Sequence, residues 1–468
     1  MQQNKTNNQT RYVSTIKKIR KKIMIGNNNE IMKTCKDGEN KKNLFLKTSI
    51  DLEDIEEKLF SLLVRASDWY ADNSTSISSS SNDTSSAAKL ELRVAGGWVR
   101  DKLLGLHSHD VDIAVDKMSG VEFCQIVLQY LEHLQESGQG VEINAEHHYK
   151  MSVINANPEQ SKHLETATMK ILGIDIDFVN LRAEELYLPH SRIPHQTTKF
   201  GTPLEDALRR DLTINALFYN LTTKEIEDCT NRGLEDLLVK KLVVTPLDPH
   251  STFHDDPLRV LRAVKFAVRF GFDIAFDLRE AALSPAVHQS LLLKVSRERV
   301  GKELSAMLIG KNADPVKALT LLSELGLAQP VFGLPEGQLL EGSILNTPYK
   351  DAPDPVLTVS SHDNLFDQAW PHASFCMSLL PLFSQHLKIV DPAIIHLSVF
   401  LFPFSDLSFK DKKKKEITLV VWMLREGLKF KNKDVAAFKF LNFPPSIDIN
   451  TLLLLLNEFL SLFSVIEL

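Results

Sequence analysis

The sequence predicts an α/β head followed by an all-helical remainder. Two observations carry this prediction. A strand–loop–helix–strand pattern runs from Leu90 to about Ala114, and further strand candidates lie at Lys150–Ile154 and Met169–Val179. From Asp256 onward, apolar residues recur at helical spacing. An α/β region followed by a helical region is typical of separate domains with different architectures.

Composition and charge limit the kinds of protein that this chain can be. Its 468 residues predict about two to four domains, and 43% hydrophobic with 24% charged residues is typical of a globular protein. Because the formal net charge is −6, any RNA site must be a local basic patch. The four cysteines are far apart without zinc-binding spacing, which predicts unpaired thiols in a reducing compartment.

Neither end of the chain predicts a membrane segment. The apolar run at 452–466 is too short to span a bilayer and contains Asn457 and Glu458, which favours a buried helix. Residues 1–29 contain seven lysine or arginine residues and no acidic residue. This composition is typical of a mitochondrial presequence, although a disordered basic tail that helps to hold RNA explains it equally well. We expect no membrane partner.

The head begins with a predicted helix and an interruption. Apolar residues at helical spacing predict a helix from about Leu52 to Tyr70. Residues 73–88 are low in complexity and rich in serine, which predicts a flexible insert before the first strand.

The first motif is a glycine pair between a strand and a helix. Val94 and Ala95 end an apolar strand, and Gly96 and Gly97 allow the backbone to approach a ligand. The amides that begin the following helix, together with Arg100, can hold phosphate oxygens. Taken alone, the glycine pair is better explained by an ordinary turn.

An aspartate pair on the next strand makes ligand binding the better interpretation of the glycine pair. Asp110 and Asp112 alternate with Val111, Ile113 and Val115, so the carboxylates share one face and the apolar side chains share the buried face. Two ionised carboxylates at this spacing repel each other unless solvent or a cation compensates them. Their oxygens suit Mg²⁺ bound to substrate phosphates.

Asp175 and Asp177 repeat this alternation further along the chain. On a neighbouring strand, Asp177 would bring a third carboxylate to the metal site. A solvent-facing aspartate pair with Arg182 as its counter-charge is an equally good interpretation.

The third motif is a pair of arginines ahead of an apolar segment. Arg209 and Arg210 can hold a triphosphate. Asp211 and Asn215 could orient the arginines or a sugar hydroxyl. The alternative is a surface salt-bridge network at the start of a helix.

The fourth motif follows Asp256-Pro257, which predicts a helix with Asp256 as its N-cap. Arg259, Arg262 and Lys265 are three apart and form one polar stripe. The apolar stripe consists of Leu261, Val264 and Val268. Since an aspartate accepts and an arginine donates hydrogen bonds, Asp256 and Arg259 can match the edge of a nucleobase without a template. The simpler alternative is that Asp256 only caps the helix.

These four motifs, in this order, resemble those of the tRNA nucleotidyltransferases, the CCA-adding enzymes. The motifs are GGWVRDKLLG, HDVDIA, RRDLTINALFYN and DPLRVLRAVKFAVRFGF, and the resemblance covers about residues 90–312. More narrowly, the motifs resemble the class shared by bacteria and eukaryotes, whose sister members are bacterial poly(A) polymerases. It implies a mixed-sheet head of the DNA polymerase β nucleotidyltransferase type, followed by helical neck, body and tail domains. We therefore expect an N-terminal extension at 1–47, a head at 48–245, a neck at 246–312, and a body with a short tail at 313–468.

The resemblance also implies site residues by position. Asp110 and Asp112 match the catalytic, metal-binding carboxylates. The matching nucleotide-binding positions are Gly97, Arg100, Arg210, Asp256, Arg259, Arg262 and Lys265. The other matching segments are a flexible loop at 191–204, a specificity-switching motif at Asp228, Gly233 and Asp236, and a neck motif at 296–299. Asp255 and Lys265 stand where many members carry Glu and Arg, and both keep the charge.

The activity implied is template-independent addition of CCA to the 3′ end of tRNA from CTP and ATP, with release of pyrophosphate. It implies a two-metal site for Mg²⁺, for which Mn²⁺ can substitute. The alternative within the superfamily is a poly(A) polymerase, and the alternative from another class is an inactive RNA-binding protein. Since CCA addition is needed wherever tRNA is made, we expect a cytoplasmic or nuclear location, or both, with a mitochondrial fraction.

Overall fold

The computed structural model describes most of the chain between residues 49 and 435. The described ranges are 49–77, 89–108, 110–138, 151–154, 166–183, 186–187, 194–195, 200–335, 338–342, 357–358, 365–379, 392–432 and 435. The predicted presequence in residues 1–29, residues 78–88 of the serine-rich segment and the apolar run at 452–466 lie outside these ranges. Within them, no helix has the length and apolar character needed to cross a membrane.

A mixed sheet forms the centre of the head. The head strands are β1 (Leu92–Ala95), β2 (Asp110–Val115), β3 (Met151–Ile154), β4 (Thr166–Ile171), β5 (Ile174–Asn180), β6 (Leu186–Tyr187), β7 (Pro194–His195), β8 (Phe218–Asn220) and β9 (Ile226–Glu227). Seven of them pair in the order β3-β4-β5-β2-β1-β8-β9, and β6 pairs with β7 separately. In the large sheet β2 and β5 run parallel and the other described pairs are antiparallel. The predicted α/β class of the head is confirmed.

The strand predicted at Met169–Val179 is in fact a hairpin. β4 and β5 meet at the pair Ile171 and Ile174. Leu172 and Gly173 between them have φ angles of 51° and 82°, and two central residues with positive φ suit the tight turns that join antiparallel strands. The prediction was wrong because it overlooked the adjacent apolar residues Ile171 and Leu172, where the alternation shifts by one residue, and the glycine that follows them.

Four helices accompany the head strands: α1 (Asp54–Ile77), α2 (Gly97–Leu103), α3 (Gly120–Glu136) and α4 (Pro203–Leu208). Helix α1 extends beyond the predicted end at Tyr70, because the polar residues that follow include no glycine or proline to stop it. Helix α4 begins within the predicted flexible loop, where Thr202 and Glu205 form a reciprocal cap. The expectation of a loop as far as residue 204 was therefore wrong at its end.

Helices dominate the rest of the described chain, as predicted. They are α5 (Gly233–Glu235), α6 (Pro249–Asp255), α7 (Leu258–Phe270), α8 (Phe276–Ala282), α9 (Pro285–Lys294), α10 (Arg297–Leu308), α11 (Pro315–Glu324), α12 (Ala328–Phe332), α13 (Leu365–Leu379), α14 (Pro392–Leu401) and α15 (Leu419–Trp422). The short strands β10 (Leu242–Val243), β11 (Asp273–Ile274), β12 (Leu339–Leu340), β13 (Leu357–Thr358), β14 (Ser408–Lys410) and β15 (Glu416–Thr418) form three two-stranded ladders.

Helix α7 has the two faces that its sequence predicts. Leu261, Val264 and Val268 are buried. The N-cap of the helix is Pro257, and Asp256, the predicted N-cap, lies one residue earlier and accepts from the Leu258 amide through Oδ1 over 3.1 Å. At the other end Gly271 adopts a left-handed conformation with φ 69° and ends the helix. The helix packs against α10, so both helices present side chains toward the head.

Candidate active site

A cleft of about 780 Å³ lies between the head sheet and helices α7 and α10. Eight of the nine residues predicted from the sequence line it: Gly97, Arg100, Asp110, Asp112, Arg210, Asp256, Arg259 and Arg262. The ninth, Lys265, is not a lining residue. The cleft is also lined by residues that the sequence analysis did not assign to it, namely Arg182, Asp206, Lys302 and Glu303.

Three carboxylates converge at the sheet side of the cleft. Strands β2 and β5 are parallel with Asp112 opposite Asp177, so the two side chains share one face of the sheet. The Thr168 hydroxyl donates to Asp177 Oδ1 over 2.6 Å and fixes that carboxylate. Asp110, Asp112 and Asp177 all line the cleft.

Asp175 has a different environment from Asp177. It stands opposite Asp110 in the strand register, but its side chain is 69% exposed and lies 3.6 Å from Lys170 Nζ. Of the two interpretations of this aspartate pair, Asp177 therefore has the cleft position and Asp175 has the solvent-facing one. Its counter-charge is Lys170, in place of the predicted Arg182.

The carboxylate group carries excess negative charge. Burial raises the pKa of Asp112 to about 6, aided by the charges of Asp110 and Asp177 and opposed by those of Arg210 and Arg182. A bound cation would reduce the repulsion among these carboxylates and stabilise the ionised form of Asp112. Hard oxygen donors of this kind suit Mg²⁺.

The protein alone does not enclose a metal ion here. Among the described residues, no three His, Cys, Asp or Glu side chains are arranged as a complete metal-binding group. A divalent cation held by these aspartates would need further oxygens from substrate phosphates and water, which is the usual arrangement for Mg²⁺.

The arginine pair is held mainly by a residue that the sequence analysis missed. Asp206 accepts from Arg209 Nε over 2.9 Å and from Arg210 Nη2 over 2.8 Å. Burial raises the pKa of Asp206, but the charges of Arg210 and Arg209 outweigh this effect and lower the pKa to about 2. The expectation that Asp211 and Asn215 orient the arginines was right only in part, since the Asn215 carbonyl accepts from Arg210 Nη1.

A sequence signal for Asp206 existed. Asp206 precedes Arg209 and Arg210 by three and four residues at the end of α4, a spacing at which helical side chains meet. The arginines therefore follow the end of a helix, whereas the salt-bridge alternative had placed them at a helix start.

Each glycine of the pair has a structural role of its own. Gly96 has φ 64°, a conformation that favours glycine, and a Cβ there would lie 2.6 Å from Arg210 Nη1 and displace that guanidinium. At Gly97 a Cβ would lie 3.8 Å from Arg100 Nη2 with no closer neighbour, so its backbone faces open space in the cleft.

Arg100 joins the head to the neck. Its guanidinium donates to Asp101 Oδ1 over 2.8 Å and to the Asn215 side chain. It also stacks on the rings of Phe266 and Phe270 in α7, at 4.8 and 5.0 Å from their centroids. Burial lowers the pKa of this arginine. Since a guanidinium has five N–H donors, Arg100 retains donors for a ligand.

The polar stripe of α7 divides into two parts. At its start, Asp256 Oδ2 accepts from Arg299 Nη2 over 3.1 Å, and Arg259 Nη2 donates to the Arg209 carbonyl over 2.9 Å. One turn further, Arg262 Nε donates to Asp211 over 2.6 Å. The pairs at the start leave Asp256 and Arg259 at the cleft surface.

The second part of the stripe serves to fix the helix. Lys265 Nζ lies 2.7 Å from Glu303 of α10, and Arg262 Nη1 lies 3.9 Å from the same residue. Arg262 and Lys265 therefore fix α7 against α10 through these contacts. Glu303, which the sequence analysis missed, is the neck residue that makes these contacts.

The predicted switching motif lies behind the cleft. Asp228 Oδ2 accepts from the Leu234 amide over 2.9 Å, and buried Asp236 accepts from the Thr213 hydroxyl over 2.8 Å. A Cβ on Gly233 would lie 2.7 Å from the Thr213 carbonyl oxygen. These contacts tie the motif to the segment after the arginine pair, and its role in switching stays a prediction.

Comparisons with known proteins agree with this geometry. Residues 92–243 match the family described as Poly A polymerase head domain. The chain is 40% identical over 362 residues to the mitochondrial CCA tRNA nucleotidyltransferase of Saccharomyces cerevisiae, covering 74% of this chain and 63% of that protein. It is 45% identical over 283 residues to a tRNA nucleotidyltransferase of Schizosaccharomyces pombe, covering 60% of this chain and 54% of that protein.

The fold has a counterpart among solved structures. The Thermotoga maritima CCA-adding enzyme in complex with tRNA matches with a TM-score of 0.50 at 20% identity, over 83% of this chain and 70% of that one. The chain spans less than two thirds of the length of either fungal relative. The resemblance that the four motifs carry is confirmed by these comparisons.

Proposed function

We propose that this chain, whose residues 92–243 belong to the Poly A polymerase head-domain family, adds CCA to the 3′ end of tRNA. In this reaction the RNA 3′-hydroxyl oxygen bonds to the α-phosphorus of CTP or ATP, and pyrophosphate leaves. The observation that carries the proposal is the cleft itself. It sets three sheet carboxylates opposite the arginines of the head and the polar start of α7.

Asp110 and Asp112 are the proposed ligands of divalent cations, with Asp177 as a neighbouring third carboxylate. When bound, a pair of Mg²⁺ ions, or Mn²⁺ in their place, neutralises triphosphate charge and lowers the pKa of the RNA hydroxyl. The raised pKa of Asp112 supports this assignment, because burial and then the neighbouring carboxylates disfavour its ionised form, which a cation would stabilise.

The triphosphate is proposed to bind between the glycine pair and the arginines. The open backbone at Gly97 allows close approach, and Arg100 and Arg210 supply charge-assisted donors. Asp206 holds Arg210 from behind and so keeps the guanidinium in place as the substrate enters.

The start of α7 is proposed to read the base. Cytosine and adenine each present an amino donor beside a ring-nitrogen acceptor, which fits Asp256 as acceptor and Arg259 as donor. Arg299 holds Asp256, and the Arg209 carbonyl holds Arg259, so both groups are oriented before a nucleotide binds. Arg262 and Lys265 support them through Asp211 and Glu303.

The proposed roles are divided between the domains whose boundaries we propose. The head at 48–245 carries the carboxylates and arginines, and the neck at 246–312 carries the base-reading helix and α10. A body with a tail occupies 313–468. The S. cerevisiae relative is named as mitochondrial, which supports a mitochondrial fraction besides a cytoplasmic or nuclear one.

Acidity is expected to weaken cation binding by the cleft carboxylates. A cation binds the ionised carboxylate, and the pKa of Asp112 is raised to about 6, so protons compete with the cation below that pH. We expect the Mg²⁺ concentration for half-maximal activity to rise about tenfold for each pH unit below 6 and to level off above about 7. Mg²⁺ titrations between pH 5 and 8, with saturating nucleotide, measure this. A half-maximal concentration independent of pH would contradict it.

The test of the proposed function is the product. The purified chain is incubated with tRNA lacking its CCA end, with CTP and ATP together and singly, and the 3′ ends are sequenced. We expect two C residues with CTP alone and a completed CCA end with both. Long A tails without C would identify a poly(A) polymerase, and RNA binding without incorporation would identify an inactive RNA-binding protein.

A further inference from the structure

Helix α2 carries Gly97 and Arg100 to the cleft, yet it is only seven residues long. A helix of this length is not stable by itself in water, so its position depends on what packs against it. On one side, Arg100 and Asp101 contact the neck, where Asp101 Oδ2 accepts from Arg269 over 2.9 Å. The other side contacts helix α1.

A single carboxylate from α1 spans one turn of α2. Glu56 Oε1 accepts from Trp98 Nε1 over 3.1 Å, and Glu56 Oε2 lies 2.8 Å from Lys102 Nζ. Trp98 and Lys102 are four residues apart on the same face of α2. The Glu53 amide donates to the same carboxylate over 2.8 Å. Glu56 is therefore fully engaged although it is buried.

The surroundings of Trp98 make this contact rigid. Its side chain has no exposed surface. The ring of Phe60, one turn after Glu56, packs edge-on against it with centroids 5.5 Å apart. In such a dry setting, loss of one partner of a charge pair leaves the other uncompensated. Glu56 and Phe60 also precede residues 92–243, so this support for the cleft comes from outside the matched head family.

We propose that Glu56 is a positioning residue for nucleotide binding, acting through Trp98 and Lys102 on the helix that carries Gly97 and Arg100. The proposal rests on the proposed function, since it takes the cleft as the site for CTP and ATP. Because α2 contacts the triphosphate and not the base, a shift of α2 weakens both nucleotides alike and leaves the choice between them to α7.

The experiment measures nucleotide affinity in the full chain without RNA. Dissociation constants for CTP and for ATP, each with Mg²⁺, are determined by calorimetry for wild type and Glu56→Gln at a temperature where both are folded by circular dichroism. Loss of a charge-assisted contact is expected to weaken both affinities about tenfold. The ratio of the CTP and ATP constants stays at the wild-type value.

Two further variants separate positioning from general stability. Glu53 lies 3.2 Å from the same Lys102 Nζ but its side chain is 51% exposed, so Glu53→Gln is the matched control and should bind like wild type. If Glu56 acts through Lys102, the double variant Glu56→Gln/Lys102→Gln should bind no more weakly than Glu56→Gln alone. Should Glu56→Gln fail to fold, Trp98→Phe keeps an aromatic ring at this buried position, removes the indole N–H donor together with the pyrrole part of the ring system, and should weaken both nucleotides to a smaller degree.

These measurements distinguish a positioning role of Glu56 from a purely stabilising one. A Glu56→Gln variant that melts earlier but binds both nucleotides like wild type would overturn the positioning role and leave Glu56 as a stabilising residue. Wild-type affinities in a folded Trp98→Phe variant would overturn it in the same way. Absence of nucleotide binding by the wild-type chain would overturn the proposed function, and this proposal with it.

Discussion

Asp112→Ala is expected to lower nucleotide incorporation by about a thousandfold or more, because it removes an anchor for the cation that stabilises transition-state charge by several kcal/mol. The fold should not suffer. Asp112 has its pKa raised by burial and by Asp110 and Asp177, so its ionised form disfavours the folded state above about pH 6. We therefore expect a melting temperature at pH 8 that equals or exceeds that of wild type. Single-turnover extension of tRNA and thermal denaturation measure the two effects.

The matched control is an aspartate from the neighbouring strand. Asp175 stands opposite Asp110 in the register, but its exposed side chain pairs with Lys170 outside the cleft. Asp175→Ala should keep wild-type activity, while Asp110→Ala should behave like Asp112→Ala. Full activity of Asp112→Ala, or wild-type activity in excess EDTA, would show that the carboxylate pair does not hold a catalytic cation.

Relaxed nucleotide choice is the expected result of changing the start of α7. Asp256→Asn retains an oxygen for the Leu258 amide, so the hydrogen bond from the first residue of the helix remains. Its amide nitrogen places a donor where the carboxylate accepted, toward Arg299 and the cleft. A donor there favours the carbonyl of uracil or guanine over the amino group of cytosine or adenine.

The size of this effect follows from one mismatched group. An unsatisfied buried polar group costs about 1–3 kcal/mol, which corresponds to roughly 5- to 150-fold in selectivity. We expect Asp256→Asn and Arg259→Ala each to lose discrimination against UTP and GTP by a factor in this range, and to add C and A more slowly. Competition assays with all four nucleotides measure the ratios.

An aspartate that caps another helix gives the control for this experiment. Asp248 accepts from the Ser251 amide over 2.8 Å at the start of α6 and does not line the cleft. Asp248→Asn keeps a cap in the same way, and its selectivity should equal that of wild type. If Asp256→Asn and Arg259→Ala both discriminate as well as wild type does, α7 is a scaffold and the base is read elsewhere.

Features set by neighbours within one turn or one strand were predictable from the sequence. The alternation of Asp110 and Asp112 with buried valine and isoleucine follows from the two-residue period of a strand. The stripes of α7 follow from the helical period, and the burial of Leu261 agrees with them. The α/β head and the helical remainder were also predicted from such local periods, whereas the mixed sheet was implied by the family resemblance.

Where local signals were ambiguous, the predictions erred in a consistent way. The hairpin turn at Leu172 and Gly173 coincides with a one-residue shift in the apolar alternation, and the prediction of a single strand overlooked that shift. Helix α1 continued past Tyr70 because serine and asparagine weaken a helix without stopping it. In both cases the prediction misplaced the end of an element and not its type.

By itself, the sequence determined which residues could do chemistry, whereas the tertiary structure decided which of them meet. Asp177 joins Asp112 only through the register of two strands that are distant in the chain. Asp211, adjacent in sequence to the arginine pair, is 51 residues from its partner Arg262, while Asp206 holds the arginines. The physical reason is that a charged side chain has several partners within reach of its own segment. The choice among them is made when remote segments pack and exclude water, which leaves buried charges such as Asp206 and Asp211 beside an oppositely charged partner.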